Sequence, residues 1–103
     1  MYIKDRRPTY TQGENIAVRF KAPPSVKMGY SAWLGIVPAS IPHGKESVND
    51  RHDVAYQYLS ARTEGEMTFA APQPGKWTFR LHDSDASGRE VGSCPFTVQD
   101  CGP

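Results

Sequence analysis

Three acids fall in one turn-rich stretch, His82-Asp-Ser-Asp-Ala-Ser-Gly-Arg-Glu90: Asp83, Asp85 and Glu90, with Gly88 between them. Hard carboxylate oxygens around a glycine bend are what Ca²⁺ takes, so a metal site on Asp83, Asp85 and Glu90 is one reading, with Ca²⁺ the cofactor it suggests. The spacing is not that of an EF-hand. The third Asp/Asn position is Ser87, and the place of the bidentate acid is taken by Cys94. The commoner reading of Asp, Ser and Gly together is a polar turn between strands.

A second group lies upstream, in Pro42 to Asp53: His43, Glu46, Asp50, His52 and Asp53. Imidazole and carboxylate suit zinc and related ions. The two histidines, however, stand nine residues apart, with no cysteine between them and no His-x-His or His-x-x-x-His pair. The plainer reading is a solvated, hydrogen-bonded Ω-type loop. At 16 residues, 38–53 is long for a loop in a compact domain, and long ordered loops are more often functional. His43, Glu46, Asp50, His52 and Asp53 are therefore the expected partner-binding residues.

Other chemistry is thin. No Ser or Cys sits in a recognisable nucleophile elbow, so no enzyme activity is expected. Cys94 and Cys101 stand seven residues apart around a stretch that reads as a strand, too far for a disulfide unless the tail doubles back. Two free thiols is the expectation.

The elements that position these residues are strands. Apolar and polar residues alternate at Ile16–Phe20, Val54–Tyr58, Trp77–Leu81 and Phe96–Val98, the period of a half-buried strand. Ala32–Val37 is apolar on both faces, which suits a central strand covered on both sides, or one whose outer face meets a long loop. Shorter strands are expected at Thr9–Thr11 and Met67–Ala70, about seven in all. No run of 11 residues keeps helical periodicity without Pro or Gly, so no substantial helix is expected. Turn residues separate the runs, notably Pro72-Gln-Pro-Gly75 and Asp83–Gly88.

Strand parity then places loop 38–53 and loop 83–90 at opposite poles, about 20 Å apart, unless the long loop folds back over a sheet face. Trp33 is expected to fill the gap between two sheets. Tyr56 and Tyr58 read as core; the alternative is an outward stacking platform with Tyr30 for a sugar or a peptide.

Composition bounds the rest. A chain of 103 residues is one domain, with its core at about 10–98 and a flexible tail at 99–103. Twelve basic and eleven acidic residues give net charge +1, which argues against nucleic acid as partner. No apolar run approaches the roughly 20 residues that span a bilayer, so no membrane insertion is expected. No secretory h-region opens the chain, which leaves the compartment open between the cell interior and a domain of a larger protein. Nine Gly and nine Pro are spread along the chain as punctuation, not as a linker.

Ala-Trp-Leu-Gly-Ile-Val at 32–37, Pro-Gly-Lys-Trp-Thr-Phe-Arg at 74–80 and Ser-Cys-Pro-Phe-Thr-Val at 93–98 together resemble the immunoglobulin-like β-sandwich of the SKICH type. That family carries a Trp-Ile-Gly-Ile/Leu-Tyr strand, a Pro-Gly-x-Tyr-x-x-Arg strand and a closing Ser-x-x-Phe-x-Val. The chain departs from the pattern at Val37 and Trp77, and the insert Pro38–Asp53 is its own. The resemblance implies a non-catalytic recognition module attached to a larger protein.

The expectation is an all-β, antiparallel, immunoglobulin-like sandwich that binds a protein or surface partner through loops 38–53 and 83–90. The alternative is a calcium-supported carbohydrate-binding domain.

Overall fold

The computed structural model describes residues 1–99 apart from 5, 25, 26, 61, 86 and 87. Cys101 and nearly all of the expected flexible tail lie outside the described residues. Eight strands and one short helix are formed among those described: β1 Tyr2–Ile3, β2 Tyr10–Thr11, β3 Asn15–Lys21, β4 Trp33–Pro38, α1 Glu46–His52, β5 Ala55–Tyr58, β6 Glu64–Ala70, β7 Gly75–His82 and β8 Glu90–Gln99. They make two packed sheets. One is three-stranded, in the order β1-β3-β6; the other is five-stranded, in the order β2-β8-β7-β4-β5, and curls into a half-barrel.

The period-2 segments sit where alternation puts them. In β3, Ile16, Val18 and Phe20 face inward while Asn15, Arg19 and Lys21 are exposed. They meet Phe69 of β6 and, across the sandwich, Leu34, Ile36, Phe79, Leu81 and Phe96. Phe79 stacks on Phe96 at 4.5 Å and tilts against Phe69 at 5.5 Å, tying β7, β8 and β6 into one core.

Several expectations need correction. The ladder is not wholly antiparallel, because β2 runs parallel to β8. The chain leaves β2 through a turn at Gly13, whose φ of +87° suits glycine, and β3 then joins the other sheet. This switch lets Tyr10 bury its ring edge-on against Phe96 at the rim of the core. The insert 38–53 is not loop throughout, for residues 46–52 form α1. Helix α1 lacks a side-chain N-cap and an apolar stripe, so its sequence carries little helical signal, and seven residues would not hold a helix alone in water. It forms because tertiary contacts hold it, aided by Glu46 in its first turn and Arg51 and His52 in its last.

β4 is buried on both faces, as its sequence requires. Leu34 and Ile36 enter the core between the sheets. Trp33 is 1% exposed but does not fill the inter-sheet gap; it lies on the opposite face, under α1. Its ring stacks on His82 at 3.8 Å and donates from Nε1 to Glu46 Oε1 at 3.2 Å. Room for the ring comes from Gly35, where a Cβ would lie 2.5 Å from Trp33 Cζ3 and 3.1 Å from the Ala55 carbonyl oxygen. The variant Gly35→Ala is therefore expected to lose about 1–3 kcal/mol, the usual range for overpacking. A thermal melt superimposing on that of the parent would contradict this packing.

Candidate functional site

The parity count puts the two loops at opposite poles, and the strand register agrees: Trp33 pairs with His82 at one end of the β4–β7 ladder and Pro38 with Trp77 at the other. The two segments nevertheless meet. After β4 the insert folds back across the outer face of the five-stranded sheet and reaches loop 83–90 at the far pole. The Glu46 N–H bonds to the Gly88 carbonyl at 3.3 Å and the Glu90 N–H to the Gly44 carbonyl at 3.1 Å, flanking a bridge between Lys45 and Arg89.

The outer face of β7 holds the insert down. It carries Thr78, Arg80 and His82, all buried, opposite the core residues Trp77, Phe79 and Leu81. Arg80 is fully buried and donates to the Ile41 carbonyl at 2.7 Å, the Pro42 carbonyl at 3.2 Å, Asn49 Oδ1 at 2.7 Å and Thr78 Oγ1 at 2.7 Å. Since Asn49 Oδ1 accepts from Arg80, its Nδ2 is the donor to His82 Nε2 at 2.8 Å and to Glu90 Oε1 at 3.0 Å. His82 is then neutral with its proton on Nδ1, in keeping with an imidazole pushed down by burial to about 4. Glu90 closes the network, its nearly buried carboxylate lying 2.5 Å from His43 Nδ1 and 3.8 Å from the Arg80 guanidinium.

The sequence-derived site residues therefore divide. Glu90 belongs to the Arg80–Asn49 network and His43 caps it. Asp83 accepts the Arg89 N–H at Oδ1, 2.7 Å away, the turn role its sequence suggested. Asp85 goes elsewhere and accepts from the Tyr58 hydroxyl at 2.9 Å. Among the described residues, the acids whose ligand atoms come within 4.8 Å of one another are Glu46, Asp50 and Asp85, drawn from both loops. Asp53 lies close enough to feel Asp50 and Asp85, and its Oδ2 is buried with no hydrogen-bond partner. His52 is exposed on the last turn of α1 and belongs to neither group.

Among the described residues no Lys or Arg pairs with the acid cluster. Burial holds the Glu46 carboxyl above its usual range, and the charges of Asp50 and Asp85 push the same way. Burial also pushes Asp53 up to about 6, again reinforced by Asp50 and Asp85. The Tyr58 hydroxyl is raised too, first by its bond to Asp85.

These shifts give a pH prediction. The folded pKa of Asp53, about 6, lies above the ordinary 3.8, so the folded state binds its proton more tightly. The stability this confers is full below pH 3.8 and is lost as pH rises through about 6. His82 acts oppositely, its contribution being present above pH 6.5 and lost as pH falls through about 4. Asp53→Asn removes only the first effect. Its Tm is expected to exceed that of the parent at pH 7, with the difference closing toward pH 4. A difference that is absent at pH 7, or that grows toward acid, would count against a strained Asp53.

Beside the acids, Tyr56 and Tyr58 are 55% and 45% exposed, not core as expected, because their parity on β5 matches that of Trp33 and Gly35 on β4. Tyr56 packs edge-on against Trp33 at 6.3 Å and against Tyr58 at 5.6 Å. Tyr30, 91% exposed, belongs to the segment before β4, where the Gly29 N–H bonds to the Asp83 carbonyl and Ser31 Oγ accepts the Asp85 N–H.

Sequence reasoning missed Arg80, Asn49 and Trp33 as the supports of this face. The available signal was β4 itself: a strand apolar on both sides needs a cover, and 38–53 is the adjoining segment of sufficient length. Among the described residues, no helix is long and apolar enough to cross a membrane. Neither a protein-family model nor a curated protein matches the chain.

Proposed function

We propose that this chain is a non-catalytic recognition module whose binding face forms where 38–53 and 83–90 join on the outer side of the five-stranded sheet. One observation carries the reading. Tyr56 and Tyr58 stand exposed beside Glu46, Asp50 and Asp85, on a base made rigid by the buried Arg80–Asn49–Glu90 network. Exposed aromatic rings next to oriented polar groups, held by a stiff scaffold, are what recognition surfaces share. The immunoglobulin-like, SKICH-type reading belongs to the same proposal. Its Trp-Leu-Gly-Ile motif supplies the interior strand β4, and its Pro-Gly-Lys-Trp motif opens the central strand β7.

A second reading has its own support. Three acid oxygens within 4.8 Å, with a tyrosine hydroxyl on one of them, suit a calcium-supported carbohydrate site made by Glu46, Asp50 and Asp85. In that site the ion offsets the carboxylate repulsion and Tyr56 and Tyr58 stack on the sugar. Asp83 and Glu90, engaged in a turn and in the Arg80 network, then serve as supports.

The test applies the folded chain to arrays of oligosaccharides and of peptides, with Ca²⁺ or with a chelator, beside the double variant Tyr56→Ala/Tyr58→Ala. Binding that the double variant loses while its melt is retained supports the recognition face. Chelator sensitivity selects the carbohydrate reading, and ligands bound equally by parent and variant overturn both.

A further inference from the structure

We infer that the open edge of β5 takes up an extended, lysine- or arginine-bearing peptide as an added strand. This rests on the recognition reading and names its partner. Among the described residues β5 ends the five-stranded sheet and pairs with β4 alone, while its Gln57 side chain, on the face opposite Tyr56 and Tyr58, donates to the Thr68 carbonyl of β6 at 2.9 Å. The Leu59 N–H bonds to the Ala32 carbonyl just beyond the Tyr58–Trp33 pair. That makes Tyr58–Trp33 a non-hydrogen-bonded pair, and by the alternation of an antiparallel ladder Tyr56–Gly35 is another. The N–H and C=O groups of Tyr56 and Tyr58 therefore point away from β4, toward the open edge. Natural edges are commonly blunted by Lys, Pro, bulges or inward charges, and Ala55-Tyr-Gln-Tyr58 carries no Lys, Pro or charge. Strand addition to such an edge is an established mode of peptide capture.

Charge complementarity selects the occupant. Glu46, Asp50 and Asp53 stand at i, i+4 and i+7 along and just past α1, and Asp85 faces them from the other loop. None of the four pairs with a Lys or Arg among the described residues; the ion pairs there engage Glu14, Glu66 and Glu90. An added strand lies about 4.8 Å beyond β5 and turns alternate side chains toward the tyrosine face. A cationic side chain at those positions meets carboxylates and the faces of Tyr56 and Tyr58 together. A second copy of this chain is the poorer occupant, since pairing β5 with β5 would bring two acid clusters together. Four residues of edge form few hydrogen bonds, so the charges must supply much of the affinity and binding should weaken with salt.

The probe is a blocked peptide alternating Lys with Val and Thr, titrated into the full chain and followed by amide hydrogen exchange. The expected result is exchange slowed about tenfold at Tyr56 and Tyr58. Binding should fall with salt and be lost when Glu replaces Lys or when the pairing amides of the peptide are N-methylated. Asp50→Asn/Asp85→Asn should weaken binding about tenfold without lowering Tm. No binding at millimolar peptide, equal binding of the N-methylated peptide, or protection of Tyr56 and Tyr58 by self-association alone would overturn the inference. If the peptide fails while an array ligand still depends on Tyr56 and Tyr58, the strand-addition inference falls and the recognition face stands. If the tyrosines matter to no ligand, both fall.

Discussion

Arg80→Met is expected to lower the unfolding free energy by about 3–5 kcal/mol, the cost of removing one partner of a buried ion pair, here Arg80 and Glu90 at 3.8 Å with Asn49 hydrogen-bonded to both. The methionine fills much of the volume of the arginine stem, so the loss is polar and not a cavity. Asn49 Oδ1 and the carbonyls of Ile41 and Pro42 lose their donor, and the nearly buried Glu90 carboxylate loses its closest buried cation. Orphaned buried acceptors cost about 1–3 kcal/mol apiece before relaxation. For a domain of this size the midpoint should fall by more than about 12 °C. Arg80→Lys should rescue little, because one ammonium cannot serve acceptors spread around a planar fork. Adding Glu90→Gln to Arg80→Met should restore part of the loss, since the stranded charge is gone. Thermal and urea unfolding of the four proteins read this directly. A midpoint within a few degrees of the parent for Arg80→Met would mean that the insert does not depend on this network.

The same residues show what the sequence discloses and where local patterns stop. Alternation reveals β3, β7 and the end of β8 because successive side chains of a strand point to opposite faces, a parity that belongs to the strand itself. The double-sided apolarity of β4 likewise announces a cover. What covers it is not local. Arg80 and His82 occupy positions that alternation assigns to water, and they are dry only because 38–53 folds across them. Helix α1 follows the same logic, for its residues have no helical stripe and its hydrogen bonds run to β4, β7 and β8. Strand counting correctly separates the ends of β4 and β7 but says nothing about a segment that doubles back over a face. Counting alone therefore puts loop 83–90 a strand's length from the residues it meets. Alternation does not decide Tyr56 and Tyr58, because the opposite face, Ala55, Gln57 and Leu59, is only mildly polar. Register against Trp33 and Gly35 decides them, and register is a tertiary fact.

Trp33→Ala is expected to cost about 3–5 kcal/mol, the range for truncating a buried tryptophan, although the ring lies outside the core between the sheets. It is the contact surface between β4 and α1: one face stacks on His82, its edge meets Tyr56, and its N–H satisfies Glu46. Trp33→Phe separates the parts. It keeps an aromatic ring over His82 but leaves the buried Glu46 carboxylate without its donor, a loss of about 1–2 kcal/mol. Gly35 supplies an internal check. The clash that makes Gly35→Ala costly is with the Trp33 ring, so Gly35→Ala in the Trp33→Ala background should cost far less than alone, a coupling that a double-mutant cycle measures. Additive losses would place the strain of Gly35→Ala on the Ala55 carbonyl instead. If the coupling is found, Trp33 is also the lever on recognition. With its ring removed, Tyr56 loses its buried neighbour and Glu46 its anchor, so Trp33→Ala should weaken ligand binding even at temperatures where the two-sheet core stays folded. Retained affinity in a folded Trp33→Ala protein would mean that the tyrosines and acids keep their positions without the buried ring beneath them.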